Sequence, residues 1–456
     1  LCFRHDRWTS NHFTVQNHYF KMLFTDEMIT HISEQTNLYA AQELGDPIST
    51  SPEEIEKFLA MLLFMGVFSF PAIDDYWCIE SRFGVIADIM PRRRFKLLRR
   101  YLHFNDNQQC DGSPDRFYKI RPLFDMLRQQ CLLIPSTYQH SVDEVMVAYK
   151  GTRAGSLRQY IANKPDKWGF KLFCRASSSG IIHDFLLYQG ASTFFNVALT
   201  EQEEALLLGA KLVTTLCKTI TLPRLSVVFC DNFFTSFDLV QNLEENLGIR
   251  CIGTVRPNRM GGATLKTDKE LMKEGRGAFD FMSAEGLLAV KWFDNKCVSL
   301  LSSASGITPL SSVKRWSKEA KAKVSVACPS LILAYNQHMG GIDLSDMLVH
   351  MYKTPAKSRR WYLPLFGYIL DLCISNAWLV YKRDFNKPAS KSNTPRPSHP
   401  QPDVQYDNFG HLPLHSNKRG RCNLCPKGVS RWKCQKCNVF LCMNGKMECF
   451  AAYHRK

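Results

Sequence analysis

The chain has no apolar run long enough to cross a bilayer. The longest, Phe58 to Phe70, stops well short of the ~20 residues a spanning helix needs, so no membrane partner is expected. The stretch LCFRHDRW lacks a signal-peptide core, and a chain opening on Leu1 reads as an excised portion of a longer protein. There is no internal repeat. The last 39 residues have almost no acid: Lys418 to Lys456 holds ten Lys or Arg and a single Glu448. Eleven of the 17 cysteines, Cys2 to Cys373, follow no spacing pattern, which argues against a disulfide scaffold and for a reducing compartment.

What is present points to a folded, multidomain, basic protein. At 456 residues one core does not suffice. The 45% hydrophobic content suits globular packing, and a net charge of +16 favours a polyanionic partner such as nucleic acid. Residues 1–138 read as helical. Ser51, Pro52 and Glu54 mark a helix start with a capping box. The segment Pro91–Phe104 alternates apolar residues with Arg92, Arg93, Arg94, Lys96, Arg99 and Arg100, so one face packs and the other meets solvent or phosphate.

From Ser141 the pattern turns to strands: SVDEVMVAYK, WGFKLFCRA, IIHDFLLYQ. A helix over about 200–217 follows, then the strand RLSVVFCD, a helix, and the strand IRCIGTV. This order matches an RNase H-like α/β core, in which carboxylates converge at the sheet edge. Residues 257–329 break it as a β-rich insertion. Helix resumes from Tyr335 to about Tyr381, and 386–417 reads as a flexible linker rich in Pro, Ser and Lys.

Cleaving a phosphodiester with two divalent ions requires carboxylates from separate elements, the ions roughly 3.5–4 Å apart. Asp143 lies between Val142 and Val145 inside a strand, where a lone acid is costly. Asp231 ends an apolar strand. Asp343 and Asp346 stand three apart in GIDLSD, so a helix would turn both one way. Each acid alone could be a helix cap; together on this element order they read as a catalytic set. His103 and His183 read as packed or surface residues, and Phe233, Phe234, Phe366 and Tyr368 as core.

The C-terminal stretch is a metal module. Cys422, Cys425, Cys434 and Cys437 form two CxxC pairs, followed by Cys442, Cys449 and His454, which implies zinc. Seven ligands leave one missing for two tetrahedral ions; His411 or His415 is the eighth. Arg431 and Trp432 suit phosphate contact.

These residues resemble the piggyBac transposase family: SVDEVMVAYKGTR with NKPDKWGFKLF, FCDNFFTS with GTVRPNR, YNQHMGGIDLSD, and KSRRWYLPLFGYILDLCISNAW, with DDYW (Asp74–Trp77) and KIRPLFD (Lys119–Asp125) upstream. Val145 and Ala148 depart from the usual residues beside the first acid. The resemblance implies an RNase H-like core, 139–256 and 330–349, with Asp143, Asp231 and Asp343 binding two Mg²⁺ or Mn²⁺ ions and Asp346 as a further acid. It implies an insertion domain at 257–329 and a dimerisation and DNA-binding domain from 1–138 and 350–385. Arg256, Arg259, Lys357, Arg359, Arg360 and Trp361 would lie at DNA. The reaction implied is cut-and-paste transposition through hairpin ends into TTAA targets, by a nuclear homodimer on double-stranded DNA. The module at 418–456 would be a two-zinc cross-brace that reads transposon ends or contacts chromatin. A second reading keeps the fold and DNA or chromatin binding without cleavage, as in a domesticated protein. A third, a ubiquitin ligase built on the cross-brace, leaves the aspartates unexplained.

Overall fold

A computed structural model describes residues 17–110, 112–162, 164–356, 358–385, 411, 413–426, 428–434, 437–443 and 448–454. The chain divides at Phe385 into two compact units.

The first unit opens with helices. In α1 (Asp26–Leu44) the Thr25 side chain accepts from the Met28 N–H, and Gly45, at φ 88°, closes the far end. α2 (Pro52–Val67) starts at Ser51, whose hydroxyl accepts from the Glu54 N–H at 3.3 Å. The expected capping box is only half formed. Glu54 gives its carboxylate to Arg94, at 2.6 and 2.7 Å, and to Thr50 Oγ1, at 2.8 Å, because a charged partner outweighs a lone N–H. α3 (Gly84–Ala87) is a single turn. α4 (Arg92–Tyr101) buries Phe95, Leu98 and Tyr101, while Arg94 and Lys96 pair with Glu54 and Asp74. Part of its basic face is therefore already neutralised. α5 (Arg121–Leu133) completes this group.

The sheet follows: β1 (Gln139–Ala148), the short β2 (Gln159–Tyr160), β3 (Trp168–Ser177) and β4 (Ile182–Leu187). The helical stretch expected over 200–217 is two helices, α6 (Glu201–Ala205) and α7 (Leu208–Cys217), separated by extended Leu206. Then come β5 (Val227–Cys230), α8 (Phe237–Leu247) and β6 (Arg250–Thr254). β1 pairs antiparallel with β3 and parallel with β5; β3 takes β4 on its outer side, and β5 takes β6 in parallel. The spatial order is β4, β3, β1, β5, β6, a mixed α/β sheet whose parallel pairs need the helical crossovers.

The region 257–329 does not build a separate sheet from all its strands. After α9 (Asp268–Glu274), β7 (Phe279–Ala284), β8 (Leu287–Phe293) and β9 (Cys297–Ser302) continue the central sheet, with β9 antiparallel to β6. They cover what would otherwise be an open edge at β6. Only β10 (Ser311–Ser317) and β11 (Ala322–Cys328) stand as a two-stranded hairpin.

The helical pattern expected from Tyr335 to Tyr381 is three helices: α10 (Ser330–His338), α11 (Gly341–Met351) and α12 (Tyr362–Asp384). Gly340 and Pro355 sit in the breaks. α12 has the length and apolarity of a membrane span, yet 83% of its most apolar window is buried inside the protein. Its polar residues have interior partners. Asp371 accepts from the Thr354 N–H at 3.0 Å, and Asn376 holds both the N–H and the C=O of Ile182, at 3.0 and 2.8 Å.

In the second unit, β12 (Pro413–Arg421) and β13 (Val429–Cys434) form an antiparallel hairpin, and α13 (Cys449–Tyr453) follows. Of the expected linker, residues 386–410 and 412 lie outside the described residues, while 413–417 belong to β12.

Candidate catalytic centre and metal module

The parallel register sets Val142 on β1 opposite Cys230 on β5. Asp143 and Asp231 are the next residues along each strand, so adjacent strands deliver them to neighbouring positions. Strand alternation fixes the face. Val142, Val228 and Cys230 pack into the core shared with α7 and α8, whereas Val145, Leu172 and Cys174 pack into the core shared with α11 and α12. Asp143 shares the face of Val145 and so looks toward α11.

α11 is seated there by a glycine. A Cβ on Gly341 would stand 2.4 Å from the Ser177 carbonyl oxygen and 2.7 Å from Ser141 Oγ, so only hydrogen allows the helix to approach β1 and β3 this closely. Asp343, two residues on, is exposed in the first turn of α11. Asp346, one turn further, is half-buried, and its buried Oδ1 faces the His350 imidazole. Its charge reaches Cys174, the cross-strand partner of Asp143. His350 stands 3.4 Å from Asp346 and 3.5 Å from Asp166, and Lys353 adds a contact to Asp166 at 3.6 Å.

These carboxylates are in a demanding environment. Burial first, then the charge of Glu144, pushes Asp143 up to about 7, although the Glu144 N–H donates to it at 2.7 Å. Burial also raises Asp231, against an N–H bond from Phe233 at 2.8 Å. The four aspartates are not gathered as tightly as a closed metal cage. Among the described residues, sets of three or more ligand atoms within 4.8 Å of one another occur only in the second unit. Two carboxylates raised by burial, with Asp346 beside them on α11, are nonetheless what hard divalent cations would satisfy.

Four neighbours escaped the sequence reading. Lys171 contacts Glu144 at 3.9 Å, lies over the Phe173 and Phe233 rings at 4.6 and 4.8 Å, and is lowered by burial. Lys164 donates to the Glu144 carbonyl at 3.2 Å. The Tyr335 and Thr254 hydroxyls lie 3.4 Å apart, and the Tyr335 phenol, raised by burial, also feels Asp231 and Asp143. The one legible signal was the doublet Asp143-Glu144.

In the second unit two donor sets form: Cys422, Cys425, Cys442 and Cys449, and His411, Cys434, Cys437 and His454. Of the two candidate histidines, the one that gathers with the cysteines is His411. His415 lies on β12 opposite Trp432, its ring 5.1 Å from the indole, and joins neither set. The sets interleave along the chain, and each has the donors of a tetrahedral zinc site. Knuckle N–H bonds, Cys437 N to Cys434 Sγ at 3.3 Å and Cys442 N to Cys422 Sγ at 3.4 Å, shape both. Burial opposes a thiolate at Cys422, but N–H donors from Cys425, Leu424 and Cys442 outweigh it and bring the thiol down to about 6. His454 Nδ1 is 2.8 Å from the Phe450 carbonyl, which leaves Nε2 for a metal. Among the described residues every cysteine is free of disulfides.

A protein-family model described as Transposase IS4 matches residues 16–378. Human PiggyBac transposable element-derived protein 3 is 31% identical over 464 residues, spanning 95% of this chain and 75% of that protein. The chain belongs to the piggyBac transposase family. Human PiggyBac transposable element-derived protein 2 is 31% identical over 437 residues, covering 89% of this chain and 71% of that one. The human chimeric ERCC6-PGBD3 protein is also 31% identical, but the chain spans only 42% of its length. The piggyBac transposase synaptic complex with hairpin DNA, solved by cryo-electron microscopy, shares the fold at a TM-score of 0.67 and 22% identity, over 94% of this chain and 95% of that one.

The piggyBac-type basic residues are placed unevenly. Arg256 is exposed, with Nε 3.4 Å from Asn232 Oδ1, and its charge lowers Asp231. Arg259 is half-buried and donates to the Phe233 carbonyl at 2.9 Å, bracing the loop after Asp231. Arg360 turns back on α4, donating to the carbonyls of Arg99, Arg100 and Leu102 and so satisfying that helix end. Trp361 is half-buried against Phe117 and Phe170. Arg359 and Arg431 are exposed; Lys357 lies outside the described residues.

Proposed function

We propose that this piggyBac-family protein is a DNA transposase that cuts and rejoins DNA on an RNase H-like core, using Asp143, Asp231 and Asp343 to bind two Mg²⁺ or Mn²⁺ ions, with Asp346 supporting them. The observation that carries this reading is the side-by-side delivery of Asp143 and Asp231 by β1 and β5, on the face to which Gly341 docks α11. The ions, when bound, supply charge for the attacking and leaving oxygens of a phosphodiester exchange. The chain orients: β1 holds Asp143 half-buried on the face of α11, and Arg256 and Arg359 face solvent where a phosphate backbone would run. We extend the reading to hairpin-ended excision, TTAA insertion, a homodimer, a nuclear site of action and a two-zinc module that grips DNA ends or chromatin.

The relatives named as transposable element-derived proteins favour one alternative, a DNA- or chromatin-binding protein that no longer cuts. Incubating the full chain with Mg²⁺ and DNA carrying its cognate ends decides between them. Excision that vanishes in Asp143→Ala supports the enzyme. Retained DNA binding without any excision sinks it in favour of the alternative.

A further inference from the structure

The hairpin β10–β11 carries a surface that neither the acid centre nor the cysteine module uses. Its register sets Trp316 directly opposite Lys323 and Lys314 opposite Ser325. Alternation splits it into two faces. Inward, Val326 is buried, Val313 and Val324 pack on the same core, and Arg315 pairs with Asp294 at 2.8 Å. Outward stand Lys314, Trp316 and Lys323, all exposed, with the indole 59% accessible. The turn adds Lys318 and Lys321. Lys314, Lys318, Lys321 and Lys323 enter no ion pair among the described residues, and Glu319 is the one acid between Ser311 and Cys328.

The hairpin is held firmly. Arg276 donates to the Trp316 carbonyl at 3.1 Å and shares Asp294 with Arg315, and Trp292 Nε1 donates to the Ala327 carbonyl at 2.9 Å. Four uncompensated cations around an exposed indole, on a braced two-stranded element, form a preorganised face for a polyanion with a flat, partly apolar surface.

We infer that the outer face of the β10–β11 hairpin is a contact surface for duplex DNA, its lysines taking backbone phosphates and Trp316 lying against the sugars between them. The inference rests on the proposed DNA partner and assigns it a footing outside the acid centre.

The test is fluorescence anisotropy of the full chain with a labelled random-sequence duplex over a series of salt concentrations. Replacing Lys314 and Lys323 together by Ala should reduce the salt slope by about 2, near 0.9 per phosphate. The paired Lys→Arg replacement should restore it. Trp316→Ala should weaken binding about 5-fold at every salt, with the slope unchanged. Because these side chains face solvent, thermal midpoints should not move. A parent chain that binds DNA while every variant matches it in slope and affinity would overturn the hairpin assignment alone, as would a hairpin that captures only a protein partner. A parent chain that binds no duplex overturns both this inference and the proposed function.

Discussion

A carboxyl group held inside a strand is a stability cost that function can justify. Asp143 is raised by burial, so the folded chain without metal binds that proton more tightly than the unfolded chain does. Its stability therefore falls as pH rises from the ordinary carboxylate range through about 7. We expect Asp143→Asn to raise the metal-free melting temperature at pH 8 by on the order of 2 °C while abolishing cleavage, measured by calorimetry beside a nicking assay. Arg360 behaves in the opposite way. Truncation to Ala should cost about 1–3 kcal/mol in denaturant unfolding, because three carbonyls at the end of α4 lose their donor. Asp143 was legible in sequence because an acid between valines breaks a strand's alternation of environment. The work of Arg360 was not, since its partners lie far away along the chain and local sequence does not say which carbonyls will be left over. The choice between His411 and His415 was hidden likewise: His411, ahead of β12, stands with Cys434, Cys437 and His454, while β12 pairs His415 with Trp432.

Among elements, α11 and the β1–β4 part of the sheet make separable predictions. Gly341→Ala places a methyl against the Ser177 carbonyl, so α11 must lift from the sheet. Cleavage should fall by at least ~100-fold, by analogy with small misplacements of reacting groups, while circular dichroism changes little. The second prediction concerns His140 on β1 and His183 on β4, which burial, aided by Arg175, pushes down to about 3. Arg383, Asp184 and its partner Arg128 are the other charges near this pocket. Both imidazoles stay neutral in the folded chain while the unfolded chain protonates them near the ordinary value, so stability should drop as pH falls below about 6.5. His183→Phe should flatten that limb of a melting-temperature profile. The β1, β5 and β6 strands were readable from their apolar runs. The union of β9 with β6 was not, because strand partners are chosen across long loops and leave no local mark. α12 was read as a helix, but its burial depends on Asp371 and Asn376 finding partners in other elements.

At the scale of the molecule, two compact units should respond independently to metal removal. On the proposed zinc binding, a chelator should unfold the second unit, whose buried cluster is largely the cysteines of the two donor sets, and leave the melting of the first unit within about 1 °C. A single merged transition would contradict that division. The interleaved order of the acids has a consequence for biosynthesis. Asp143 and Asp231 are translated well before α11, and Gly341 can seat that helix against Ser141 and Ser177 only after the intervening chain has been made. A nascent chain therefore holds half of its carboxylates with nothing to complete them. On the proposed function, the carboxylate set is complete only once synthesis has passed the insertion.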